Sequence, residues 1–163
     1  MASAFVHKTP VIILEKLNRL LSVLQTVKNN YEQTALRIPN IQMRLSLLSL
    51  AQASKQYANE LMAHIETLGG KSAVQQAADP DRQEPMDNPS EKTDGRSDDI
   101  REMNLGEQSL MKTYREILNE PFLYDNIRRM LKYQQNGLLH YFSQLKMLYA
   151  ALVKTTTKGT FEL

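Results

Sequence analysis

The sequence predicts an all-α fold, a four-helix bundle in which two antiparallel helical hairpins are joined by a long crossover linker. Three observations lead there. Apolar residues recur at helical spacing in four long segments. Pro39 and Pro121 separate the first segment from the second and the third from the fourth. Between the two pairs, about 27 residues are almost without large apolar side chains.

In the first segment Ile13, Leu14, Leu17, Leu20, Leu21, Leu24, Val27 and Tyr31 form an amphipathic stripe. Thr9 and Pro10 read as an N-cap and a first-turn proline, and Pro39 ends the pattern, so a helix is expected over 10–36. A second helix, over 40–68, carries Ile41, Leu45, Leu48, Ala51, Tyr57, Leu61, Ile65 and Leu68 before Gly69 and Gly70, which suit a C-terminal cap. The stretch "KSAVQQAADPDRQEPMDNPSEKTDGRS" then holds prolines, acids and amides, and residues 71–96 read as a flexible linker.

Ser97 stands before Asp98 and Asp99 like an N-cap with acids in the first turn. A third helix is expected over 98–119, with Ile100, Met103, Leu110, Tyr114, Ile117 and Leu118 on one face. The fourth, over 122–153, carries Ile127, Met130, Leu131, Leu138, Phe142, Leu145 and Leu148. Residues 154–163 show no helical pattern and read as an irregular tail.

The linker selects the topology. Each helix spans roughly 35 to 45 Å at a rise of about 1.5 Å per residue. The linker can reach roughly 90 Å when extended, enough to return along the whole bundle, which an up-and-down arrangement does not need. Two hairpins with one crossover are ferritin-like.

Composition bounds the function. The chain of 163 residues is long enough for one domain with a real core, and it contains no cysteine. That excludes disulfides, thiolate nucleophiles and cysteine-ligated zinc or iron–sulfur clusters. Basic and acidic residues alternate, leaving a formal net charge of +2 without a basic stripe, so nucleic-acid binding is not expected. The apolar run "VIIL" is cut short by Glu15 and Lys16, and no run approaches membrane-spanning length. The expectation is a soluble cytoplasmic protein with no membrane partner.

Four stretches, "NNYEQTA" in the first helix, "ANELMAHIETLGG" closing the second, "GEQSLMKTYREIL" in the third and "YQQNGLLHYFSQL" in the fourth, together resemble a bacterial family of ferritin-like four-helix-bundle proteins, a domain of unknown function. The resemblance covers most of the chain outside the linker and termini. It implies the fold, since the family has no assigned activity.

Ferritin-like bundles often hold two metal ions, with one glutamate from each of two helices and a Glu-x-x-His pair from each of the others. Glu32 and Glu107 meet part of this requirement. In the crossover topology they lie roughly 9 and 14 Å below the same bundle end at helical rise. The other helices fail it. The second helix has no acid between Pro39 and Asn59, the fourth none between Asp125 and Glu162, and the residue three before His140 is Gly137. Glu60 and His64 are spaced by four and lie toward the opposite end. An intact di-iron centre is not expected. Glu32, Glu107 and His140 could hold a single metal ion; alternatively, Glu107 pairs with His140, Gln144 or a tyrosine hydroxyl as a buried structural contact.

His64 and His140 are too far apart along the bundle to share a haem, and His7 with His64 reads as an adventitious pair. No phosphate-cradling glycine loop or serine-nucleophile elbow occurs. The methionines and tyrosines read mainly as core filler. Ile12, Val23 and Leu36 widen the first stripe, and Tyr133, Tyr141, Met147, Tyr149 and Leu152 the fourth, beyond what one core requires. The sequence therefore points to a non-catalytic, homodimeric helical bundle without a cofactor that acts through protein contacts. A metal-binding or oxidoreductase protein is the alternative, and a core pocket for a small apolar ligand a third reading.

Overall fold

The computed structural model describes residues 9–71 and 96–161. They form four helices and no strand: α1 (Val11–Arg37), α2 (Ile41–Thr67), α3 (Arg96–Leu118) and α4 (Asp125–Phe161). α1 and α4 each pack against both α2 and α3, so α1 faces α4, and α2 faces α3, across a diagonal. Residues 72–95, which hold nearly all of the linker, lie outside the described residues, as do His7 and residues 162–163. No helix among the described residues is long and apolar enough to cross a membrane.

α1 begins one residue later than expected. Pro10 is the cap residue, its ψ of 138° is extended, and no side chain caps the helix. Thr9 is therefore not the N-cap; the Pro10 carbonyl takes the first amides, from Ile13 and Leu14. The helix ends before Ile38, which is extended at φ −92° and ψ 121°, as a residue preceding proline must be. Asn40 caps α2 by accepting from the Met43 amide at 2.9 Å. Arg44 braces the same turn with two hydrogen bonds to the Ile38 carbonyl.

At the far end of α2, Gly69 adopts φ +83°. Its amide donates to the Glu66 carbonyl and that of Gly70 to Ile65, the paired bonds of a Schellman cap. α3 starts at Arg96, which places Ser97 inside the helix. After α3, Arg128 donates to the carbonyls of Leu118 and Glu120, a cation on the carbonyl-rich helix end. Pro121 and Phe122 form the turn, and α4 starts only at Asp125. It continues to Phe161, so the segment expected as an irregular tail from 154 is helical to that point. Lysine and threonine cost under about 1 kcal/mol per residue in a helix, and Lys154 to Lys158 include neither proline nor glycine.

The core contains the expected faces of α1, α3 and α4, among them Leu17, Leu20, Leu21, Leu24, Leu110, Tyr114, Ile117, Leu131 and Leu138. α2 differs in its first half. Met43, Leu47 and Leu50 are buried, while Ile41, Leu45 and Leu48 are exposed. The two sets lie on opposite sides of the helix at roughly 100° per residue. Met43, Leu47, Leu50, Ser54, Ala58, Leu61 and Ile65 form one continuous face, all buried. The assignment through Ile41 leaves its own face at Ala51 and cannot be continued.

Of the residues expected to widen the apolar stripes, Ile12, Leu36, Tyr133 and Met147 are exposed. Val23, Tyr141, Tyr149 and Leu152 pack partly buried against the core.

Candidate functional site

Glu107 sits on α3 with its side chain only 15% exposed. Lys146 on α4 donates to it at 2.9 Å. The partner is thus neither His140 nor Gln144. His140 lies six residues earlier on α4, roughly 9 Å along its axis, and is exposed, with its ring 6.5 Å from that of Tyr141. Glu32 turns aside as well and pairs with Lys28 one turn back at 3.3 Å.

The level expected for Glu32 and Glu107 is nearly correct, but the facing is not. Tyr31, one step round α1 from Glu32, is the residue directed at α3. Its ring is buried 6.2 Å from Phe142, and a side chain at Gly106 would stand 4.0 Å from its hydroxyl. Among the described residues no three histidine, aspartate or glutamate side chains come together in a group that could hold a metal ion. Glu32, Glu107 and His140 are accordingly not assembled as a site.

The Tyr31 hydroxyl is buried without a hydrogen-bond partner among the described residues. Burial, with a smaller contribution from the Glu107 carboxylate, raises its pKa above that of an ordinary tyrosine. Tyr114 is raised in the same direction by burial first, then by Tyr57 and Glu60. In the unfolded chain both ionise near 10.0; in the fold both stay protonated beyond that. Unfolding therefore releases protons above pH 10, and stability is expected to fall as the pH rises from there toward the folded values. Tyr31→Phe removes one such group and the unpaired hydroxyl together. It should raise stability at neutral pH by up to about 1 kcal/mol and flatten the alkaline decline, both readable by urea unfolding at pH 7 and above pH 10.

A second polar cluster lies deeper, around a residue that is not among the candidates read from the sequence. Gln134 of α4 is fully buried. Its Oε1 accepts from the Tyr114 hydroxyl at 3.0 Å, and its Nε2 donates to the Tyr57 carbonyl at 3.3 Å and to Glu60 Oε2 at 3.2 Å. One amide thereby joins α2, α3 and α4. Gln134 occupies the α4 core phase between Leu131 and Leu138, and a polar residue at a position reserved for the core is the signal that could have identified it. Glu60, expected away from the candidate ligands, is part of this layer.

Beside Glu107 and Lys146 opens a cavity of about 30 Å³, lined also by Met43, Met103, Phe142 and Leu145. At roughly 10–15 Å³ per water site it has room for about two waters. An organic ligand needs on the order of 300 Å³ or more, so this cavity does not support the small apolar ligand considered from the sequence. What both clusters do is join helices: Glu107 meets Lys146 between α3 and α4, and Gln134 ties α2, α3 and α4 together.

No family model matches the chain, and no curated protein shows significant similarity to it.

Proposed function

We propose that the chain is a ferritin-like crossover bundle of a bacterial cytoplasm that acts through protein contacts, as a homodimer, and has no catalytic activity. The topology draws support from contacts at the helix ends. Gly70, after α2, lies against Leu14 at the start of α1. Lys16, also near that start, meets Glu120 just past α3, while Gly106, nearer the start of α3, lies beside Val27 and Tyr31. The connection from Lys71 to Arg96 then joins opposite ends of the bundle, as a ferritin-like crossover does. The four stretches that resemble the ferritin-like family fall on the four helices.

The observation behind the functional reading is that Tyr133 and Met147, within roughly 40° of each other on one face of α4, are large apolar side chains left exposed. The ionisable residues considered as ligands are instead engaged in ion pairs or exposed. Exposed apolar patches on a folded domain mark contact surfaces. Sedimentation equilibrium of the full chain should give twice the monomer mass of 18.7 kDa, and Tyr133→Ser with Met147→Gln should shift it toward the monomer. A monomer at every concentration overturns the homodimer. Near-stoichiometric iron, manganese or zinc in untagged protein, lost in Glu107→Ala, overturns the non-catalytic reading.

A further inference from the structure

We propose that the outer face of the first half of α2 is a docking surface for an acidic amphipathic helix from a different protein. This rests on the reading that the bundle acts through protein contacts, and it supplies the chemistry of one partner. Ile41, Leu45 and Leu48 are 68%, 58% and 41% exposed. Their i, i+4, i+7 spacing aligns them along the helix within roughly 60° of one another. Leu36, 83% exposed in the last turn of α1, adds to the apolar surface at the same end of the bundle. The stripe runs about 10 Å, two helical turns, and this is the anchor spacing with which one helix lies on another.

Charge selects the occupant. On the helical wheel, Arg44 and Lys55 lie along one edge of the stripe, and Gln42, Ser49 and Gln56 along the other; all five are exposed. From Ile41 to Asn59 there is no acidic residue, so this face carries charge of one sign only. Arg44 is held in place by its bonds to the Ile38 carbonyl, a neutral acceptor that leaves the guanidinium charge uncompensated. A complementary helix places two or three aliphatic side chains on the stripe and carboxylates beside Arg44 and Lys55, about three turns apart.

A second copy fits this face less well. Two such stripes laid antiparallel bring equivalent edges together, and here basic edge would meet basic edge, which is repulsive. Parallel, they leave both basic edges unanswered. The apolar patch is on the order of 300 Å², short of the roughly 800 Å² per partner typical of a stable interface, and suits a short helix better than a dimer core.

The test uses the full chain and a labelled synthetic helix of about 20 residues, with leucines at i, i+4 and i+7 and glutamates along one edge, followed by fluorescence anisotropy. Wild-type protein is expected to bind it, more weakly as salt rises. Leu45→Gln with Leu48→Gln, both at solvent-exposed positions, should weaken binding about tenfold or more with unchanged helical circular dichroism. Lys55→Glu should lose the acidic peptide and bind a version carrying lysines in place of the glutamates. No binding by wild-type protein overturns the proposal, as does equal binding by the leucine variants. Binding to phosphatidylserine vesicles with none to the peptide assigns the face to a membrane surface instead and also overturns it. Loss of self-association in the leucine variants, with no peptide bound by wild-type, assigns the face to a second copy, overturning this proposal while leaving the homodimer intact. A monomer that binds the peptide does the reverse.

Discussion

Replacing Gln134 with leucine is expected to destabilise the bundle by about 3 kcal/mol, a shift of more than a hundredfold in the folding equilibrium. Leucine fills a similar volume, so the loss is not chiefly a cavity. It comes chiefly from the buried Tyr114 hydroxyl, deprived of its partner, with smaller losses at the Tyr57 carbonyl, which keeps its bond within α2, and at the partly exposed Glu60 Oε2. A buried polar group left unpaired costs about 1–3 kcal/mol, whereas removing both members of a pair is nearly neutral for that pair. The double variant Gln134→Leu with Tyr114→Phe should therefore be no less stable than Gln134→Leu alone, and their effects should fail to add by about 1 kcal/mol. Denaturant unfolding of the four proteins measures this coupling. Simple additivity would show that the Tyr114 bond is not part of the layer's stability.

Gly137→Ala should destabilise although it replaces a glycine inside a helix. Helix propensity alone favours alanine by about 1 kcal/mol. The new methyl, however, would fall onto the Tyr57 hydroxyl and 3.3 Å from its Cζ, and the Tyr57 ring is already packed edge-on to Tyr133. To admit the methyl the ring must turn away from Tyr133, in a side chain only 8% exposed. Overpacking of this kind costs about 1–3 kcal/mol, so the net effect is a loss. In a Tyr57→Ala background the obstruction is gone, and Gly137→Ala should then stabilise by up to about 1 kcal/mol. The reversal of sign between the two backgrounds is the measurement, and a stabilising Gly137→Ala in the wild-type chain would exclude the close approach.

Gly137 illustrates what could be read from the sequence and what could not. It is one residue in an otherwise unbroken helical pattern, and it registers there as the absence of a ligand partner for His140. Its role depends on Tyr57, eighty positions away on another helix. Ile41, Leu45 and Leu48 differ, because their exposure is implicit in the sequence. Once the face through Ser54, Ala58, Leu61 and Ile65 is followed back along a rigid helix, Leu50, Leu47 and Met43 must be inside and Ile41 outside.

Four helices, the apolar faces of α1, α3 and α4, and the breaks at Pro39 and Gly69 were legible in the sequence, because hydrogen bonding within a helix and amphipathic periodicity are local; the face of the first half of α2 and both ends of α4 were not read correctly. The sequence also determined that the second helix offers no acid before Asn59 and the fourth none after Asp125 until Glu162. Tertiary structure alone decided that Glu107 meets Lys146, that Tyr31 rather than Glu32 faces α3, and that Gln134 joins three helices. These depend on how far one helix slides and turns against another. A slide of four residues moves a side chain by roughly 6 Å, and a step of one residue turns it by roughly 100°. Packing of all four helices sets both quantities together, and no single segment contains them.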